Sequence, residues 1–149
     1  MTAEERRPIP AVGAVVVDEG RLLLVRRARG AHAGAWAVPG GRQRVGERMR
    51  EAVVREVREE TGLEVEVGEP VWVGDILDPH DPPAWHYAVV DFRARVVGGA
   101  LRAGDDAAAA EFVPFGEVRR RPLTPTMIEL LDALGIGVVS RRPGPSDTD

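Results

Sequence analysis

The chain of 149 residues contains no cysteine, which excludes a disulfide framework, a thiolate metal site and a cysteine nucleophile. A reducing cytoplasm is the expected location. Its three histidines are scattered, so no histidine cluster offers a metal centre. No apolar run approaches the length needed to span a bilayer, and the opening MTAEERRPIP lacks the apolar core of a signal peptide. A net charge of only −4 leaves no bulk basic field for polymeric nucleic acid, and no membrane partner is expected. What is present is ordinary for a globular protein, with 44% hydrophobic and 30% charged residues. The length suits one domain with a real core.

Residues 1–8 read as a frayed leader, 9–138 as the domain, and 139–149 as a tail predicted to be disordered. The apolar run from Ile9 to Val17 and the segment Arg21 to Arg27 flank a turn at Asp18-Glu19-Gly20, which predicts a β-hairpin. Trp36 to Val38 reads as a short strand ended by Pro39-Gly40-Gly41. A helix is predicted over about Arg48 to Thr61, with Gly62 as its C-terminal cap. One strand with a break at Gly68-Glu69-Pro70 follows, from Glu64 to Ile76. The longest strand candidate is Trp85 to Val97, before a Gly98-Gly99 turn, and Glu111 to Phe115 reads as the last strand. A closing helix from about Thr126 to Leu134 buries Leu130, Leu131 and Leu134. Strands on both sides of the central helix predict a mixed α/β layered domain, its sheet between helices.

That central helix carries the chemistry. Val53, Val54 and Val57 form the arc that should face the sheet, although Arg50 falls among them. Arg48, Glu51, Arg55 and Arg58 form a second arc, expected to be solvated. Glu56, Glu59 and Glu60 fall at i, i+3 and i+4, on one side of the helix between these arcs. A surface helix laced with salt bridges is the competing explanation, and Glu51–Arg55 and Arg55–Glu59 are such pairs. It leaves Glu56 and Glu60 as a like-charge pair with no basic residue at i±4. A hard divalent cation such as Mg2+ resolves that repulsion, and carbonyls of the Gly40-Gly41 turn could add to its shell.

From Gly41 to Leu63 the sequence resembles the Nudix box, G-x5-E-x7-R-E-U-x-E-E-x-G-U with U aliphatic. Gly41, Glu47, Arg55, Glu56, Val57, Glu59, Glu60, Gly62 and Leu63 fill all nine specified positions. The resemblance extends over about residues 9–135. It implies an α/β/α sandwich around a mixed sheet and hydrolysis of a nucleoside diphosphate linked to another group. It also implies that Glu56, Glu59 and Glu60 bind one to three Mg2+ or Mn2+ ions, joined by the Gly40 carbonyl. Arg55 would orient the glutamates and Glu47 would support the loop-to-helix junction. The proton acceptor varies in this family: a box glutamate serves, or an acid from a later loop. Asp105 and Asp106 are the loop candidates, with Glu111 third, and a polar surface turn is their competing explanation.

Substrate choice lies outside the box. Trp36, Trp85 and Tyr87 are candidates to stack on a base or ribose, against ordinary core burial. Alternation places Trp85 and Tyr87 opposite His86. Arg26 and Arg27 should point to opposite faces, one reaching a phosphate, and His80 is expected to be solvated. Pro79 lies sixteen residues past the box, as in ADP-ribose pyrophosphatases, and points to ADP-ribose or a related sugar nucleotide. A MutT-like hydrolase of oxidised nucleoside triphosphates is the alternative. A non-catalytic nucleotide-binding module is a third reading, which the complete set of box glutamates disfavours. The resemblance also allows a homodimer, which no sequence feature fixes.

Overall fold

Aliphatic residues fill AVGAVVV, and this segment becomes the central strand β1 (Ile9–Asp18), buried on both faces from Ala11 to Val16. The computed structural model describes residues 5–30, 32–104 and 107–138. The start of the expected leader, Asp105–Asp106 and the expected tail from residue 139 lie outside them. Glu19 (φ 48) and Gly20 (φ 75) turn the chain into β2 (Arg21–Arg27) through the tight hairpin that strand twist favours. Next come β3 (Trp36–Ala37), β4 (Gly40–Arg42) and α1 (Met49–Thr61). The order is completed by β5 (Leu63–Leu77), β6 (His86–Gly99), β7 (Ala107–Pro114), α2 (Phe115–Val118) and α3 (Pro125–Leu134).

Among the described residues the strands form one sheet of seven along the path β3-β2-β1-β6-β5, with β4 added to β1 and β7 to β2. β1 and β6 run parallel and the other pairs antiparallel, so the sheet is mixed as expected. Alternation along the strands divides the core in two. Val12, Ala14, Val16, Leu23, Phe92 and Ala94 pack beneath Ala52, Val53 and Val57 of α1. Val15, Leu22, Leu24 and Val113 pack on the opposite side with Met127, Leu130 and Leu131 of α3. The result is a sheet between helices. Among the described residues no helix is long and apolar enough to cross a membrane.

α1 starts where its sequence provides partners for the orphan N–H groups. The Glu51 carboxylate accepts from the Arg48 backbone N–H at 3.1 Å, so Glu51 caps the helix instead of pairing with Arg55. Gly62, at φ 74, ends the helix by donating to the Arg58 carbonyl at 2.9 Å. Arg50, out of place among the valines, lays its guanidinium over the Phe92 ring at 5.2 Å. It also donates to the carbonyl of Gly68. Ala52 is fully buried against the sheet.

Several boundaries differ from the sequence expectations for identifiable reasons. Gly40–Arg42 does not end regular structure but forms β4, pairing with Ala11–Gly13. The approach is close: a Cβ on Gly40 would lie 2.2 Å from the Val12 carbonyl oxygen. The break at Gly68-Glu69-Pro70 is absorbed into β5 as register shifts on either side of Pro70. Gly98 and Gly99 stay paired with Glu64 and Leu63 at the end of β6. β7 begins at Ala107, not Glu111, because pairing with β2 overrides the low strand propensity of an alanine run. Phe115 accordingly opens α2.

Replacing Gly62 by alanine forces φ 74 on a residue with a Cβ and puts that atom 2.6 Å from the Ala100 carbonyl oxygen. The expected cost is about 2–3 kcal/mol, read as a loss of about 4–10 °C in Tm. An unchanged melting curve would contradict this account of the helix end.

Candidate active site

The last two turns of α1 bring Glu56 and Glu60 to the mouth of a cleft of about 900 Å3. Glu56 lies against the backbone of Gly41, where a Cβ would stand 2.5 Å from its Oε1. Glu60 is held above the usual carboxylate range, first by burial and then by the neighbouring Glu56 carboxylate. The Gly40 N–H and the charge of Arg27 oppose that shift without cancelling it. Two carboxylates thus share a mostly buried corner with too little positive charge to keep both ionised.

Arg55 is the hub of this corner and not the solvated residue its helical arc suggested; its side chain is only 14% exposed. Its Nε and Nη2 grip both oxygens of Glu47, at 2.6 and 2.9 Å. Its Nη1 reaches Glu56 at 2.8 Å and Glu59 at 3.2 Å, and Nη2 also donates to the Arg42 carbonyl at 2.9 Å. This is a use of the planar fork that a lysine could not reproduce. The bond from Arg55 holds Glu47 down to a pKa of about 2, and the Arg44 N–H adds to it. Glu47 in turn receives the Arg44 N–H at 3.1 Å and orders the loop before the helix.

Glu59 shares the Arg55 Nη1 with Glu56. It is held by Arg55 and, at 3.6 Å, by Arg44. It borders a second hollow of about 440 Å3 that Glu56 and Glu60 also line. Among the described residues no three acidic or histidine side chains close on one point. The Glu56–Glu60 pair nevertheless fits a hard cation. It offers anionic oxygens, it is largely withdrawn from water, and its mutual repulsion is what a bound Mg2+ or Mn2+ would remove.

The other candidates are placed unequally. Trp85 and Tyr87 line the cleft with ring centroids 6.0 Å apart. Arg42 lies 5.7 Å over the Tyr87 ring and donates to its hydroxyl at 3.2 Å. Arg26 and Arg27 both border the cleft, because a register shift between them in the pairing with β7 breaks the alternation that should have separated them. Trp36 is placed in the core against α3, under the guanidinium of Arg121 at 4.7 Å. Glu111 forms a two-point pair with Arg121 at 2.8 and 3.0 Å. His80 is exposed and pairs with Asp78 at 2.6 Å. Asp105 and Asp106 lie outside the described residues.

Trp72 and Asp91 are among the cleft residues that went unnoticed in the sequence. The parity that puts Trp85 and Tyr87 on one face also puts Val89 and Asp91 there, so a lone acid in an apolar strand was the available signal. Asp91 is 5% exposed, and burial raises its pKa to about 7. The unfolded chain releases that proton near 3.8, so stability falls as pH rises from about 4 to about 7, by up to ~4 kcal/mol. Asp91→Asn is expected to flatten this part of the Tm-against-pH curve. Parallel curves for the two proteins would refute the buried titration.

Known proteins resemble this chain in sequence and in fold. A model of the NUDIX domain matches residues 7–134. The CTP pyrophosphohydrolase of Escherichia coli is 38% identical over 132 residues, covering 84% of this chain and 90% of that protein. The ADP-ribose pyrophosphatase of Methanocaldococcus jannaschii is 40% identical over 105 residues, or 70% of this chain; the match spans 61% of that relative's length. Among solved structures, the MutT NUDIX hydrolase from Burkholderia pseudomallei superposes with a TM-score of 0.76 at 28% identity, covering 87% of this chain and 99% of that one. The match over nearly the whole domain and the box glutamates at the cleft mouth lead to one conclusion: this chain belongs to the Nudix hydrolase family.

Proposed function

We propose that the chain is a divalent-cation-dependent hydrolase of the diphosphate linkage in nucleoside diphosphate derivatives, with ADP-ribose or a related sugar nucleotide as the preferred substrate. The observation that carries this reading is the Glu56–Glu60 pair. Two carboxylates that burial and mutual repulsion disfavour stand at the mouth of a cleft walled by Trp72, Trp85 and Tyr87. Such a cost is retained where a cation and a polyanionic substrate arrive together. The relative named ADP-ribose pyrophosphatase supports the preferred substrate. The longer match to a CTP pyrophosphohydrolase favours the second reading, a MutT-like hydrolase of nucleoside triphosphates.

In either case the residues divide the work in the same way. Glu56 and Glu60 would supply oxygen ligands, with Glu59 and the Gly40 carbonyl as further donors. A bound Mg2+ or Mn2+ would supply charge neutralisation of the diphosphate oxygens and acidify the attacking water. Arg55 holds the Glu56 carboxylate in a fixed rotamer, so no reorganisation is needed when the charges meet. Arg26 and Arg27 border the cleft where phosphate oxygens would lie. Tyr87 and Trp85 offer ring faces for a base or ribose. The water's proton would pass to a loop acid, Asp105 or Asp106, or to a box glutamate.

Glu60→Gln is expected to lower kcat by about 100-fold or more while leaving the fold intact. In chelator-treated protein the same change should raise Tm, because it relieves the buried repulsion. Turnover should vanish with chelator and return with Mg2+. Near-normal activity of Glu60→Gln, or turnover without divalent cation, would sink the metal reading. Substrate preference is decided by kcat/KM across ADP-ribose, nucleotide sugars, dinucleoside polyphosphates and oxidised dNTPs. Strong oxidised-dNTP hydrolysis beside negligible ADP-ribose hydrolysis would select the second reading.

A further inference from the structure

Of the two buried aspartates among the described residues, Asp91 is the one whose carboxyl has no partner. Buried Thr61 donates to the Val57 carbonyl at 2.6 Å, and buried Asp78 accepts from the Ala84 N–H at 2.8 Å. Among the described residues no hydrogen bond or ion pair reaches the Asp91 carboxyl, although it is 5% exposed and lines the cleft. Its room is built. In register with Asp91 on β1 stands Gly13, where a Cβ would come within 2.1 Å of the Asp91 Oδ1. Any larger residue at that position would displace the carboxyl. Among the described residues no fully enclosed side-chain oxygen lacks a partner, so the unpaired oxygens of Asp91 open onto the cleft, where what enters the cleft can complete them.

The register also places Asp91 relative to the glutamate corner. Gly40, whose N–H bonds Glu60, pairs with Gly13, and Gly13 pairs with Asp91. The backbone at Asp91 is therefore two strand spacings, about 10 Å, across the sheet from β4, whose Gly40 N–H bonds Glu60. That spacing is of the order of the reach from a nucleotide's phosphates to its base, so a ligand with its phosphates at Glu56 and Glu60 could bring its base over Asp91. On its other side Asp91 pairs with Trp72, and Tyr87 lies two alternations along β6 on the same face. Ring faces beside a carboxyl at the floor are the combination that reads a nucleobase, by stacking on its plane and hydrogen bonding to its edge.

We propose that Asp91 is the base-reading residue of this cleft, accepting a hydrogen bond from the exocyclic amino group of an adenine, cytosine or guanine nucleotide. This rests on the nucleotide reading above. Uracil has no exocyclic amine, and where cytosine carries one it presents a carbonyl oxygen, which the Asp91 carboxylate repels.

The test is calorimetric binding of AMP and UMP at pH 8 to the full chain, wild type against Asp91→Ala and Asp91→Val. Neither ligand contains a diphosphate linkage, so binding is read without turnover. Wild type is expected to bind AMP about 10- to 100-fold more tightly than UMP. Both variants should weaken AMP and, with the repulsion gone, leave UMP unchanged or tighter, so that the two affinities come within about twofold of each other. Asp91→Val fills the space with a strand-forming apolar side chain, so a loss of fold in Asp91→Ala alone leaves the measurement intact. Equal affinities in wild type, no detectable binding of either nucleotide, unchanged AMP binding in folded variants, or equal losses for both nucleotides would overturn the proposal. A parallel assay with ADP-glucose and UDP-glucose separates the two readings. Turnover without discrimination removes only the role of Asp91. Base discrimination without turnover of any substrate removes only the hydrolase reading. A fall in kcat on both sugars with binding unchanged would assign Asp91 to proton transfer instead.

Discussion

The guanidinium of Arg55 ties the loop before α1, the end of β4 and the helix itself to one charge. It binds both oxygens of Glu47 in the loop, the Arg42 carbonyl at the end of β4, and the carboxylates of Glu56 and Glu59 on its own helix. The loop before α1 is therefore ordered by the same charge that fixes the glutamates. Without that charge, Glu47 and Glu56 would add to the repulsion that Glu60 already meets. Because the fork is mostly buried, its bonds are worth more than those of an exposed ion pair such as Arg95–Glu66.

Around this hub the cleft carries interactions that are unfavourable in the protein alone. Glu60 sits beside Glu56 in a site too dry for both to ionise, and Asp91 is buried with no partner among the described residues. Each would be cheaper as an apolar residue. They are tolerated because the two apolar layers of the sheet supply the stability; most of the side chains that fill them lie away from the cleft, and Val12, Met127 and Leu130 serve both. Sites that bind polar ligands are commonly less stable than the scaffold that bears them.

The sheet supplies the distances. α3 covers only part of its face, and the uncovered part is the cleft floor, formed by β1, β5 and β6. Gly13 and Gly40 matter here because neighbouring atoms occupy the space a Cβ would need. At Gly13 that neighbour is a carboxyl facing the cleft; at Gly40 it is the backbone of β1.

Local spacing was enough to reveal the helix, its cap at Gly62 and the crowding of Glu56 and Glu60, since these depend on offsets within four residues. The layered α/β architecture was also legible, because helical and strand periodicities alternate along the chain. Pairing was not. β4 exists because the central strand offers an edge to a glycine segment, and the shift at Arg26–Arg27 comes from its partner β7. Trp36 and Tyr87 look alike as aromatic residues near turns, yet one is enclosed by α3 and Arg121 while the other faces the cleft. Arg55 belonged by periodicity to a solvated arc, and only the fold of the preceding loop over the helix buried it. The crowded glutamates on α1 were thus determined by the sequence itself, as neighbours in one helix. Their partners, their burial and the reach from them to Asp91 were decided by contacts between segments far apart in the chain, which no local pattern encodes.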